Sequence, residues 1–114
     1  MKVIVCGGRQ YNNETRLYSI LGKLHRERGV SLVIQGGAPG ADTLAARWAM
    51  ANDISTTTYA ADWGKHGSRA GPIRNAAMMD EMPDAVVAFP GGRGTADMVR
   101  RAKAAGVPVW EIQP

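Results

Sequence analysis

Three strand-length apolar segments in this chain end in a Gly-Gly pair, and a stretch of helical character follows each pair. The segments and their pairs are Lys2–Cys6 with Gly7-Gly8, Ser31–Gln35 with Gly36-Gly37, and Asp84–Phe89 with Gly91-Gly92 after Pro90. Strands that alternate with helices indicate a parallel sheet covered on both faces. Glycines at the strand ends let the backbone turn tightly and approach a ligand without interference from Cβ atoms.

The alternation continues to the end of the chain and predicts a single α/β domain over residues 1–114. The predicted strands are Lys2–Cys6, Ser31–Gln35, Ile54–Tyr59, Asp84–Phe89 and Val107–Ile112. The predicted helices are Glu14–Arg28 with Asn13 as its cap, Ala41–Asn52, Pro72–Glu81 and Thr95–Ala105. Right-handed crossovers then give a Rossmann-like three-layer domain, whose five-stranded parallel sheet has the order 3-2-1-4-5. The polar connection over residues 60–71 is longer than most loops of this kind, and such loops are often functional.

The composition excludes several classes of protein. No apolar run approaches the roughly 20 residues that span a membrane, and the N-terminus shows no signal-peptide pattern, so a cytoplasmic protein is expected. Cys6 is the only cysteine and the two histidines lack zinc-site spacing, so no disulfide, metal or cofactor is expected. Because Cys6 ends an apolar strand, a buried hydrophobic role fits it better than that of a reactive thiol.

The net charge of +4 first suggests a nucleic-acid partner, but the distribution of the charge argues against one. No basic stripe with interleaved aromatic side chains runs along the sequence. One group of cations lies in or beside the predicted strand-end loops, namely Arg9, Lys65, Arg69, Arg74 and Arg93. Positive charge that is concentrated around a crevice favours a small anionic ligand over a polyanion.

The segment Pro90–Thr95 is the strongest single indication of a phosphate site. Three of its residues are glycines, and it leads from a strand into a helix whose first free amides attract anions. The alternative is that each Gly-Gly pair only closes a short connection between a strand and a helix. The residues predicted to bind the ligand or its phosphate are Gly7, Gly8, Arg9, Gly36, Gly37, Ala38, Asp42, Arg69, Arg74, Asn75, Pro90, Gly91, Gly92, Arg93, Gly94 and Thr95.

These motifs resemble those of a known group. The resemblance covers nearly the whole chain, and its most specific parts are Ala70–Met78 and Phe89–Met98. The chain resembles the small YspA-like branch of the SLOG superfamily, which also includes the Lonely Guy (LOG) phosphoribohydrolases and DNA-processing protein A. The resemblance implies a Rossmann-like nucleotide-binding domain with a nucleotide-related ligand. It leaves open whether the ligand is cleaved or only bound.

The resemblance also allows a comparison of catalytic motifs. LOG enzymes carry Arg-Lys-x-x-Met and Pro-Gly-Gly-x-Gly-Thr-x-x-Glu, and the arginine and glutamate form the reaction centre. Arg74–Met78 matches the first motif with Asn75 in place of the lysine, and Pro90–Thr95 matches the second without a gap. Met98 stands where the glutamate is needed, so the usual catalytic carboxylate is missing.

Arg74, Asp97 and Asp62 are the candidate catalytic residues. Arg74 is predicted in the first turn of a helix, where its charge opposes the helix dipole unless an anion in the crevice pairs with it. Asp97 is next to Met98, but one helical residue rotates a side chain by about 100°. Asp62 fits either a solvated loop residue or an acceptor for a sugar hydroxyl. Asp42 fits either a partner of free helix amides or an acid-base group.

Three functions are compatible with these observations. The first is a module that binds or senses a nucleotide-like small molecule, and the second is a hydrolase that cleaves such a ligand. The third is an accessory domain that binds nucleic acid, which the position of the charges disfavours. A homodimer is also expected, because Met78, Met79 and Met82 give one helix more flexible apolar surface than a small core needs.

Overall fold

The computed structural model describes residues 1–114 and contains five strands and five helices. The strands are β1 (Lys2–Cys6), β2 (Leu32–Gln35), β3 (Ser55–Thr58), β4 (Ala85–Ala88) and β5 (Val109–Glu111). The helices are α1 (Glu14–Arg28), α2 (Ala41–Ala51), α3 (Trp63–His66), α4 (Ala70–Met79) and α5 (Arg93–Ala104). None of these helices is long and apolar enough to cross a membrane.

All strand pairs are parallel, and the strand order is β3-β2-β1-β4-β5. This confirms the predicted Rossmann-like α/β fold and its order. Alternate residues of each strand point to opposite faces of the sheet, so two cores form. Val3 and Val33 pack with α1 and α2 on one face, and Ile4 and Ile34 pack with α4 and α5 on the other.

The ends of α1 follow the sequence closely. Asn13 Oδ1 accepts a hydrogen bond from the amide of Arg16 at 3.1 Å, so it caps the first turn as predicted. Gly29 ends the helix with φ at +72°, a conformation that favours glycine. Leu17 and Leu21 are fully buried between these two caps and fix the helix on the sheet.

Two predicted helix boundaries were wrong in ways that affect the site. α4 begins at Ala70 and not at Pro72, and α5 begins at Arg93 and not at Thr95. A proline in the first turn costs no hydrogen bond, because first-turn amides have no acceptor within the helix. Arg74 therefore lies in the second turn of α4, and the predicted conflict with the helix dipole is weaker than expected.

The predicted polar connection over residues 60–71 is not an irregular loop. It contains the short helix α3 and a 3₁₀ turn over Gly67–Arg69 before α4 begins. Asp62 Oδ1 accepts a hydrogen bond from the amide of Lys65 at 3.0 Å and so starts α3. Aspartate at this position replaces the missing helical acceptor, which explains how so polar a segment becomes ordered.

The chain runs outwards from β1 to β3 and then returns to β4 on the other side of β1. The connections after β1 and β4 consequently diverge to opposite faces of the sheet, and we refer to the region at the carboxyl ends of these two strands as the crevice. Ligands of open α/β sheets bind at such a switch point. The loops that contain the three Gly-Gly pairs surround this edge.

Substitution of two glycines at this edge by alanine should change the stability of the protein by very different amounts. Gly40 has φ at +81°, and a Cβ atom there would overlap the carbonyl oxygen of Gly8, so Gly40→Ala should destabilise the protein by about 2–4 kcal/mol. Gly94 lies in the first turn of α5 with open space around its Cβ position, so Gly94→Ala should change stability by less than about 1 kcal/mol. Denaturant unfolding of the two variants measures the difference. Equal losses would contradict the loop packing described here.

Candidate ligand-binding crevice

The loop after β1 is held between the loops after β2 and β4. The amide of Gly8 donates to the carbonyl oxygen of Pro90 at 2.8 Å, and the carbonyl oxygen of Gly8 accepts from the amide of Ala41 at 3.2 Å. Cβ atoms at Gly7, Gly8 or Gly91 would collide with or crowd the neighbouring loop. These glycines are therefore required for close contact between the loops. For them, a structural role in the strand–helix connections is sufficient, without a ligand.

Gly92 and Gly94 differ from the other glycines of the edge. Both are exposed, and no atom lies within 4 Å of the position of a Cβ atom on either residue. Gly92 is the N-cap of α5 and provides no side-chain cap. The first-turn amides from Arg93 to Thr95 have no hydrogen-bond acceptor within the protein. This turn carries the partial positive charge of the helix dipole.

Arg74 extends from the second turn of α4 towards the end of β2. Its Nη1 donates to the carbonyl oxygen of Gly36 at 3.1 Å, and its Nε donates to Asn75 Oδ1 at 3.0 Å. The guanidinium is half-buried and forms no salt bridge. Two hydrogen bonds thus fix its orientation while its charge stays uncompensated by an ion pair.

Asn75 connects this arginine to α5. Its Nδ2 donates to the carbonyl oxygen of Gly94 at 3.1 Å and to Asp97 Oδ2 at 2.9 Å, and the side chain is buried. The residue that replaces the lysine of the LOG motif therefore joins α4 to the open first turn of α5. Arg74 and that turn are held in one hydrogen-bonded unit.

Asp97 accepts hydrogen bonds from three side chains. Arg100 donates to Oδ1 at 2.9 Å, and Asn75 at 2.9 Å and Arg101 at 2.8 Å donate to Oδ2. Burial opposes the charged form, but the hydrogen bonds from Arg101 and Asn75 outweigh it and lower the pKa of Asp97. A carboxylate with this many donors is suited to holding α4 against α5.

Asp42 is the buried carboxyl group of the crevice. Its Oδ2 accepts from the amide of Ala38 at 3.2 Å, so it binds the preceding loop and not the amides of its own helix. Burial raises the pKa of Asp42, although the amide of Ala38 and the charge of Arg74 partly oppose the shift. No basic side chain forms an ion pair with it.

Cys6 lies beside this group at the end of β1. Burial raises the pKa of the Cys6 thiol to about 12, with a further contribution from Asp42 and an opposing one from Arg74. A thiol with so high a pKa is not a nucleophile near neutral pH. The prediction of a buried, inert cysteine is confirmed.

The remaining predicted cations border the crevice. The guanidinium of Arg9 lies over the indole ring of Trp63, with Cζ 5.9 Å from the ring centroid. Trp63 is exposed to 49%, and its ring edge lies 3.4 Å from the position that a Cβ atom on Gly71 would take. Arg69 and Arg93 are exposed and form no salt bridge. Arg9 and Trp63 together give the crevice a flat, cationic border.

Met98 and Met78 are both buried, so neither lies in the ligand site or on an exposed partner surface. Met98 is fully buried in the core between α5 and the sheet, so it packs in the interior and does not border the crevice. Met78 is also buried, so the prediction that it adds to a free apolar surface was wrong. Among the apolar side chains near it, Ile73 and Met82 are the exposed ones.

Sequence reasoning missed the contribution of Gln35. This buried residue donates to Thr58 Oγ1 at 2.6 Å and accepts from the amide of Gly37 at 2.6 Å. It thereby fixes the loop that carries Gly36 and Ala38. The signal was present, since a polar residue ends an otherwise apolar strand.

A separate recess lies on the other side of the Pro90–Thr95 segment. This cavity of about 450 Å³ is between β4, α5 and β5, and Gly91, Gly92, Thr95, Arg100 and Lys103 are part of its lining. The start of α5 therefore borders this recess.

Fold and crevice together define a Rossmann-like domain of the type that binds ligands at a switch point. The family model of the YspA, cpYpsA-related SLOG family (YAcAr) matches residues 1–66. The Gene 61 protein of Mycobacterium phage D29 is 37% identical over 116 residues, which cover 95% of this chain and 93% of that protein. The chain belongs to this SLOG family, and the membership supports a nucleotide-related binding or processing role.

Solved structures agree on the fold. DNA processing protein A (DprA) from Streptococcus pneumoniae superposes with a TM-score of 0.78 at 20% identity, over 99% of this chain. The chain spans only 50% of that protein. The phosphoribosylglycinamide formyltransferase of Coxiella burnetii matches at a TM-score of 0.53 and 18% identity, over 94% of this chain and 61% of that one. At these identities the similarity establishes the architecture alone.

Because the pKa of Asp97 is lowered in the folded protein, the free energy of unfolding should depend on pH. Its folded pKa lies below the usual value of 3.8, so its contribution is complete above that value and is lost as pH falls through the folded pKa. Asp97→Asn should cost about 1.5–3 kcal/mol at pH 7, the range for hydrogen bonds to a charged group. The difference from the wild type should shrink as the pH falls below about 4. Urea unfolding at several pH values measures this difference, and one that stays constant with pH would contradict the assignment.

Proposed function

We propose that this domain binds a mononucleotide or a nucleotide-derived small molecule, with a phosphate at the first turn of α5. The observation that carries the proposal is the link between the open turn and Arg74 through Asn75. Free amides and a fixed guanidinium are held on one hydrogen-bonded unit at the switch point of the sheet. Both groups are donors without anionic partners.

The arrangement of donors and charges fits a phosphate group. Arg74 already uses Nε and Nη1 on protein acceptors, which leaves Nη2 and part of Nη1 for a ligand. Arg9 and Arg93 lie after neighbouring strands and add charge at the border. A phosphate that accepts from amides and guanidinium together gains several charge-assisted hydrogen bonds.

The helical cations argue for a small ligand over nucleic acid. Arg100 and Arg101 are paired with Asp97, and Lys103 is paired with Glu111 at 3.1 Å. This face of α5 is therefore partly neutralised, whereas Arg9, Arg74 and Arg93 form no salt bridge. The similarity to DprA concerns the fold and brings no DNA contact to this chain.

A hydrolase that cleaves an N-glycosidic bond is the second candidate, and Asp42 is the observation in its favour. Such a reaction builds positive charge on the sugar, which a carboxylate stabilises. Met98 is buried, and Asp97 has both oxygens occupied by protein donors. Asp42 is the carboxyl group beside Arg74 that keeps acceptor capacity, so it replaces Asp97 and Asp62 as the residue to test.

The homodimer stays a proposal. Exposed Ile73 on α4 and Met82 after it support an apolar contact, although Met78 belongs to the core of the domain.

Arg74 provides the direct test of binding. Arg74→Ala should weaken AMP binding by about 1.5–3 kcal/mol, because it removes charged hydrogen bonds to the phosphate. The AMP affinity of Arg74→Lys should lie between those of Arg74→Ala and the wild type, since lysine keeps the charge but lacks the planar guanidinium group. Titration calorimetry measures both. Arg26→Ala, which removes an exposed arginine from α1, is the control and should leave the affinity unchanged.

Two results would count against this binding site. One is AMP affinity that is the same in Arg74→Ala and in the wild type. The other is an equal loss in Arg26→Ala, which would reduce the effect of Arg74 to general electrostatics.

Cleavage of AMP should be absent or very weak in the wild type. The position that carries glutamate in LOG enzymes is Met98, and it faces the core. Met98→Glu should therefore unfold or destabilise the protein by about 3 kcal/mol or more, and not restore cleavage, because it buries a carboxyl group without a partner. Chromatography of adenine released from AMP measures the activity. Turnover by the wild type that disappears in Asp42→Asn would establish the hydrolase instead.

A further inference from the structure

Asp42 and Arg74 lie on either side of the same glycine. A Cβ atom at Gly36 would overlap the guanidinium of Arg74 and would lie 3.0 Å from Asp42 Oδ2. The two groups nevertheless form no salt bridge, because Arg74 donates to Gly36 and Asn75 instead. The crevice therefore holds a carboxyl group next to a guanidinium with which it forms no ion pair, and each keeps hydrogen-bonding capacity beyond its protein partners.

A short chain of hydrogen bonds connects the open turn of α5 to Gly36, next to the carboxyl group of Asp42. Gly94 accepts from Asn75 at 3.1 Å, Asn75 accepts from Arg74 at 3.0 Å, and Arg74 donates to Gly36 at 3.1 Å. Asp42 is at the far end of this path. A ligand whose phosphate lies on the turn thus extends over Arg74 towards the carboxyl group.

A carboxylate repels phosphate and accepts hydrogen bonds only, so it needs a donor on the ligand. In a nucleotide the donors are sugar hydroxyls and the amino groups of some bases. The flat border of Arg9 and Trp63 offers a stacking surface for the base. With the phosphate on α5 and the base on that border, the sugar is the part that lies over Gly36 and Asp42.

We propose that Asp42 accepts a hydrogen bond from a ribose hydroxyl, so that the domain selects ribonucleotides over deoxyribonucleotides. This inference rests on the proposed function, because it requires a phosphate at the first turn of α5. Asp42 also has a structural hydrogen bond to the amide of Ala38 at 3.2 Å. Asp42→Asn keeps a side-chain oxygen for that amide and removes the charged acceptor.

The test compares two pairs of probes, AMP with dAMP and GMP with dGMP, by titration calorimetry. The wild type should bind each ribonucleotide about tenfold more tightly than its deoxy partner, as expected for one hydrogen bond to a charged group. In Asp42→Asn the preference should fall to about twofold or less, while the affinity for the deoxyribonucleotides stays equal or rises. Because both members of a pair carry the same base, a difference within a pair reports a contact with the sugar and not with a base amino group, and the same preference should appear with both bases.

Asp84→Asn is the matched control. It removes the same charge at the opposite edge of the sheet, where Asp84 accepts from the amide of Lys2, and should keep the full ribose preference. If Asp42→Asn does not fold, the wild-type comparison alone decides the question. Equal affinity for both members of each pair overturns the inference and leaves the phosphate site intact. A preference that persists in folded Asp42→Asn also overturns it, and no binding of any nucleotide overturns the proposed function itself.

Discussion

The close contact of three backbone loops at the carboxyl edge of the sheet is the constraint on which the site depends. The peptide group of Gly8 donates to Pro90 on one side and accepts from Ala41 on the other. Side chains at Gly7, Gly40 or Gly91 would push these loops apart. Because the loops hold each other, the starts of α2 and α5 have fixed positions relative to β1, and with them the carboxyl group of Asp42 and the open turn at Gly92.

This packing divides the glycines into two groups with different functions. Those between the loops replace side chains with backbone contacts and add rigidity. Gly92 and Gly94 have open space instead, which leaves the first amides of α5 accessible. At the proposed phosphate site, a preformed cradle of this kind would lose little conformational entropy on binding, and the affinity would depend on a few charged groups. Asn75 adds to this preorganisation by joining Arg74 to α5.

Much of the fold followed from the sequence, because apolar strands that alternate with amphipathic helices leave few arrangements of a parallel sheet. The helix starts at Ala70 and Arg93 did not follow, since glycine and proline in a first turn resemble the residues of a loop. Arg74 was predicted in the first turn of its helix and lies in the second, and its partners Gly36 and Asn75 were not predicted. Asp97 shows the same limit, because its donors come from two helices whose packing is not encoded in local spacing. The two groups of glycines have identical sequence signatures and differ only in what surrounds them.

Phosphate binding at the open first turn of α5 is the central feature of the proposed site, and amide NMR spectra recorded during a titration with AMP test it most directly. We expect the largest shifts at the amides of Gly92, Arg93, Gly94 and Thr95, with smaller ones at Arg9 and Gly36. Inorganic phosphate should shift the α5 amides alone. Shifts confined to α1 and β5, or saturable binding of AMP that leaves the α5 amides unchanged, would contradict the account.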